Sequence, residues 1–239
     1  MTGRVFIADD RCAVSRAAAA HLASLGYTVQ LNRLGGEAVP GCDSVRFDLT
    51  DVAALTVFFD IGAPLCGVIF GAPPVIHASI EDADEDSWSR AFEQGVLSAL
   101  TLTQAACGHM ARLGGGAMIY LGSIHAEKPM GYGFLSTMGL SAVQMLCREA
   151  AIDYGRRGVN CFYVQRGLME SDMPNDNDIT NQYAGLSTRY PFGRPLVPDD
   201  LNGLIAFLLT PGAAPFNGAD LRADGGSTMY YGLQREDRV

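Results

Sequence analysis

Residues 67–70 read Gly67-Val68-Ile69-Phe70. A strand with one face in water alternates apolar with polar side chains. This run is apolar at every position, so it belongs in a parallel sheet covered on both faces. Working outward, further strand-like runs occur at 5–8, 28–31, 44–47, 117–121, 159–164 and 219–223. Segments with helical spacing separate them. These are the alanine-rich 15–25, stopped by Gly26, then 52–59, a long segment from about 85 to Leu113, and then 134–154 and 198–209. The acidic run Glu81-Asp82-Ala83-Asp84-Glu85-Asp86 falls at the start of the long segment, where it complements the positive end of the helix dipole. Gly114-Gly115-Gly116 ends that segment. Regular alternation of strand and helix predicts a doubly wound parallel α/β sheet with right-handed crossovers. The 239 residues show no internal repeat and no low-complexity linker, which fits a single domain over 1–239. Residues 171–190, with Asn175-Asp176-Asn177-Asp178 and few apolar side chains, read as a mobile lid over a pocket.

Composition narrows the function. Hydrophobic residues make up 48% and charged residues 18%, enough for a large core. A net charge of −9 argues against nucleic acid, whose phosphates need a basic face. No apolar run approaches the ~20 residues that span a bilayer. Met1-Thr2-Gly3-Arg4-Val5 leads straight into a strand without the regions of a signal peptide. The six cysteines are scattered, with neither a CxxC pair nor a zinc spacing. They read as reduced thiols of a cytoplasmic protein without a metal site.

Several stretches together resemble the short-chain dehydrogenase/reductase (SDR) family. They are Phe47-Asp48-Leu49-Thr50-Asp51, Trp88 with Thr103-Gln104-Ala105-Ala106, the run from Gly115 to Ser123, Arg157-Gly158-Val159-Asn160, Leu168-Met169-Glu170-Ser171-Asp172-Met173, Phe192-Gly193-Arg194-Pro195 and Ala223-Asp224-Gly225-Gly226. The resemblance covers nearly the whole chain and implies a Rossmann-like sheet. It also implies an NAD(P) cofactor with Asp48 near the adenine, Ser123 as the serine that orients the substrate carbonyl, and dimers or tetramers built on the two long helices and the last strand.

The residues that would carry the chemistry depart from the family's pattern. Asp9, Ala13 and Ser15 stand where the family has three glycines, and Asp9-Asp10 brings two carboxylates to a site meant for phosphates. Arg11 offsets one of them. After the fourth strand, Phe70-Gly71-Ala72-Pro73 keeps only the alanine of the family's Asn-Asn-Ala-Gly. Counting from Ser123 by the family's intervals, its tyrosine position is Ser136, its lysine position Leu140 and its asparagine position Gly95. Loss of a positioned acid/base costs on the order of 10²–10⁴-fold in rate. The expectation is therefore no cofactor, or NADP if any, with Arg33 able to pair with the 2′-phosphate. Tyr132 is a candidate substitute acid. Ser123, His125 and Glu127 suggest a nucleophile, base and orienting acid. Arg166, where the family has proline, could bind a substrate carboxylate or phosphate.

Three functional readings follow. The first is a non-catalytic subunit that pairs with itself or with an active SDR subunit, with a pocket collapsed around Phe70, Met138 and Leu140 and room at most for a small-molecule or acyl-CoA ligand. The second is an isomerase, lyase, cyclase or hydrolase using the same cleft. The third is a weak NADP-dependent oxidoreductase. The first explains every loss without a new site and is the expectation carried forward.

Overall fold

The structure, a computed structural model, describes residues 3–71, 73, 75–129, 131, 133–169 and 190–229. The strands β1 (Arg4–Ile7), fully buried, and β4 (Leu65–Gly71), buried at all but Cys66, lie side by side at its centre. On one side follow β2 (Thr28–Asn32) and β3 (Asp43–Val45), and on the other β5 (Gly116–Ser123), β6 (Val159–Arg166) and β7 (Asp220–Ala223). The order is β3-β2-β1-β4-β5-β6-β7, and every pairing is parallel. The predicted doubly wound sheet is therefore observed, with strand ends shifted by at most two residues.

Two apolar layers cover the sheet. On one face α2 (Val52–Ile61), α4 (Ser98–Arg112) and α5 (Phe134–Gly155) bury Leu55, Phe59, Leu102, Met110 and Cys147 against Phe6, Tyr120 and Tyr163. On the other, α1 (Ala13–Ser24) and α6 (Asn202–Leu208) bury Val14, Leu22 and Ile205 against Val5, Ile69 and Phe162. The strands are apolar on both sides because each side has helices to meet.

The segment expected to run unbroken from about 85 to 113 does not. Asp84 caps α3 (Glu85–Phe92) by accepting the Ser87 amide at 2.8 Å. The backbone then widens into a π turn over Glu93–Leu97 before α4 begins. An extra residue in a helical turn leaves no periodicity signal, and such turns concentrate at functional sites.

One close approach fixes the end of β5. A Cβ on Gly122 would lie 2.0 Å from the Tyr163 ring carbon and hydroxyl. Tyr163 is fully buried and donates its hydroxyl to the Leu140 carbonyl at 3.2 Å, so the ring has nowhere to go. Gly122→Ala is expected to cost about 3 kcal/mol, lowering Tm by about 6–12 °C in a chain of this size. Gly203→Ala, where an added Cβ meets nothing within 4 Å on α6, should instead raise Tm slightly. Thermal melts that fail to separate the two variants would contradict this packing.

Candidate functional site

The strand order reverses between β1 and β4, and a cleft opens there at their C-terminal ends, where open α/β sheets bind ligands. Its volume is about 430 Å³. Asp9 and Arg11 line it after β1, Leu34 after β2, Arg46 to Thr50 after β3, Phe70 and Gly71 at the end of β4, and Glu93, Gln94 and Ser98 from the π turn and α4. The π turn thus delivers two polar side chains to the cleft, a contribution the sequence did not announce. The cleft is not collapsed. Phe70 forms a wall, Leu140 packs on the core, and Met138 is exposed.

The two aspartates after β1 do different things. Asp9 faces the cleft and is gripped by Arg11, whose Nε and Nη2 donate to its carboxylate at 3.1 and 2.8 Å while the Arg11 amide donates at 2.8 Å. Hydrogen bonds to Asp9 hold the Arg11 guanidinium above its ordinary pKa. Asp10 turns away from the cleft and is fully buried. It accepts the Leu34 amide at 2.7 Å and lies 3.3 Å from Arg33 Nε, so it anchors the loop after β2. Of these two carboxylates, only Asp9, already paired, faces the cleft. Arg33 is occupied as well, donating to the Gly36 carbonyl at 2.6 Å. The expectation that it is free for a 2′-phosphate is corrected to a loop arginine held by Asp10. Arg46 lines the cleft and, among the described residues, makes no ion pair.

The turn from β1 into α1 retains features suited to an anion. Cys12 caps α1 with no side-chain hydrogen bond, so the first amides of the helix lack a side-chain acceptor. The Ser15 hydroxyl is completely buried and without a hydrogen-bond partner. A Cβ on Gly71 would sit 2.6 Å from that oxygen, so only glycine lets β4 approach the turn this closely. These residues fit the phosphates of a dinucleotide. Asp48 sits on the rim with Oδ1 accepting the Thr50 amide at 2.9 Å and hydroxyl at 2.8 Å, and these bonds, backbone first, lower its pKa.

The sequence-predicted trio is not assembled. Ser123 Oγ accepts the His125 amide at 3.2 Å, the His125 ring lies 3.1 Å from the Lys128 carbonyl, and Glu127 binds other partners. In this geometry no hydrogen bond runs from Ser123 to the imidazole or from the imidazole to Glu127. Ser136, one turn before Leu140 on α5, accepts the Ile76 amide at 2.9 Å and so faces the segment after β4. Sheet register sets Arg166 beside Ser123. Arg166 is half-buried, and its Nη1 approaches the Gly167 carbonyl at 3.4 Å. Tyr132 and, apart from Tyr190, the expected lid at 171–190 lie outside the described residues. No helix among the described residues is long and apolar enough to cross a membrane.

A parallel seven-stranded sheet with a cleft at its switch point defines a dinucleotide-fold protein. The model of the family described as enoyl-(acyl carrier protein) reductase matches residues 64–228, and the chain belongs to the short-chain dehydrogenase/reductase family. It is 28% identical over 250 residues to L-rhamnose 1-dehydrogenase (NAD(P)(+)) of Sphingomonas sp. (strain SKA58), covering 96% of this chain and 97% of that protein. Two solved structures share the fold. Thermoplasma acidophilum aldohexose dehydrogenase in ligand-free form superposes with a TM-score of 0.86 at 18% identity, covering 99% of this chain and 98% of that one. A Beutenbergia cavernae protein, described as an NAD(P)-dependent gluconate 5-dehydrogenase with bound NADP, gives 0.86 at 20% identity over 96% and 98%. These relatives carry the names of working dehydrogenases. Those names overturn the expectation of a non-catalytic subunit.

Proposed function

We propose that the chain is an NAD(P)-dependent oxidoreductase acting on a small hydroxyl or carbonyl compound at Ser123, with low turnover. The observation that carries this reading is the open cleft at the β1/β4 switch point, lined in part by Gly71, against which the uncapped turn into α1 and the unpartnered Ser15 hydroxyl pack. The names of the relatives support the same class.

In this reading the N-terminus of α1, with Ser15 in its first turn, holds the cofactor's phosphates, Asp48 lies toward its adenosine, and Arg46 on the cleft wall favours NADP over NAD. When bound, the cofactor supplies or accepts a hydride. Ser123 orients the reacting oxygen, its own hydroxyl steadied by the His125 amide. Arg166, next to it across the β5–β6 register, binds a carboxylate or phosphate of the substrate. Ser136 and Leu140 stand in place of the family's tyrosine and lysine. A serine hydroxyl does not titrate near neutrality and leucine brings no charge to tune it, so the proton comes from solvent and turnover is slow. Exposed Leu97, Leu100, Met145 and Ile152 on the π turn, α4 and α5 support pairing with a second copy.

The test is titration with NADPH and NADH, followed by nicotinamide fluorescence and calorimetry, then assay against a panel of sugars and ketones. NADPH binding with measurable oxidation or reduction is the expected outcome. Absence of binding up to about 1 mM, the top of the usual KM range, would sink the proposal.

A further inference from the structure

Neither the cleft nor the proposed chemistry accounts for the polar side chains that converge on Glu127. We propose that Glu127 is a positioning residue for Ser123, clamping the turn that sets the serine hydroxyl to α5, β6 and β7. The proposal rests on the reading that Ser123 faces the reacting oxygen.

Beyond Ser123 the chain makes a single 3-10 turn, Ile124–Ala126, and the Glu127 and Lys128 amides both return to the Ile124 carbonyl at 3.1 and 3.0 Å. Because Ser123 Oγ accepts the His125 amide, the direction of the hydroxyl depends on where this turn sits. Two attachments fix the turn. The Ala126 carbonyl accepts the Ser141 hydroxyl from α5 at 2.6 Å. The Glu127 carboxylate accepts Nε2 of Gln144 from α5 at 3.0 Å and Nε2 of Gln165 from β6 at 2.7 Å on one oxygen, and Arg222 from β7 at 3.0 Å on the other. Arg222 Nε also reaches Gln165 Oε1 at 3.3 Å, closing a ring of three side chains. The register explains the convergence, since Gln165 pairs with Gly122 on one side and Arg222 on the other.

Gln165 and Gln144 are buried, and both spend an amide donor on this carboxylate. Donors from Gln165 first, then Gln144, hold the Glu127 pKa below its ordinary value. Two buried glutamines and an arginine from three separate elements meet one loop carboxylate four residues past Ser123. Holding α5 to the sheet would not require them, because apolar side chains already do that along their shared face.

The test compares wild type, Glu127→Ala and Glu127→Gln by hydrogen exchange with mass spectrometry, by NADPH titration and by steady-state kinetics. In Glu127→Ala, amides of 123–128 should exchange at least about tenfold faster, while β1 and α1 keep their protection. NADPH affinity should hold, and kcat should fall roughly tenfold with the cofactor KM unchanged. Glu127→Gln keeps an acceptor for both glutamines and should recover most of the protection and rate. Unchanged exchange at 123–128 in Glu127→Ala would overturn the proposal, as would a rise spread evenly through the sheet in both variants. Should the wild type turn over no substrate, the oxidoreductase reading fails, and the exchange pattern still decides whether the clamp exists.

Discussion

The double substitution Ser136→Tyr with Leu140→Lys is expected to raise kcat with NADPH by about 10²-fold or more, the usual worth of a positioned acid/base. The two positions lie one turn apart on the first part of α5, where side chains four residues apart are neighbours. A phenol at 136 with an ammonium at 140 would place a tunable proton donor toward the segment after β4, where the Ser136 hydroxyl now accepts the Ile76 amide. Losing that bond costs about 1–3 kcal/mol of local stability, so the variant should melt lower than wild type while turning over faster. Leu140→Lys alone should change kcat little, because without the phenol the ammonium has nothing to tune. A double variant that folds and binds NADPH yet shows no gain would mean that position 136 does not face the reacting carbon.

Asp9→Gly should tighten NADPH binding by about tenfold. Two like unit charges ~4 Å apart repel by about 4 kcal/mol near a protein surface, and Arg11 already cancels most of that in wild type, which leaves roughly a tenfold gain. The substitution also frees the Arg11 guanidinium for phosphate, since Asp9 now takes both its Nε and its Nη2. Being electrostatic, the gain should shrink as salt is raised. Calorimetric titration at two ionic strengths checks this. Weaker binding in the variant would mean that Asp9 serves the ligand directly, for instance by accepting a ribose hydroxyl.

The sheet was legible because its signal is local. Val68, Ile69 and Phe70 could only be buried on both faces, and strands of that kind separated by helical segments have few ways to assemble. The helix that carries Ser136 and Leu140 was also legible, since α5 runs without interruption from Phe134 to Gly155. The π turn at Glu93–Leu97 was not, because it only displaces the phase of a helix. Gln165 offered a faint signal as a polar residue ending an apolar strand, but nothing pointed to its partners Glu127 and Arg222, which lie 38 and 57 positions away.

Asp9 and Asp10 mark the boundary most clearly. The sequence by itself determined a doubly wound parallel sheet and membership of a known family. It could not say where neighbouring carboxylates point. Tertiary structure sent Asp10 inward to the Leu34 amide and Arg33, left Asp9 in the cleft neutralised by Arg11, and kept the cleft open. Strand and helix patterns are written in spacing along the chain. The charge and shape of a site depend on side chains that meet only once distant segments are packed, and spacing carries no record of those meetings.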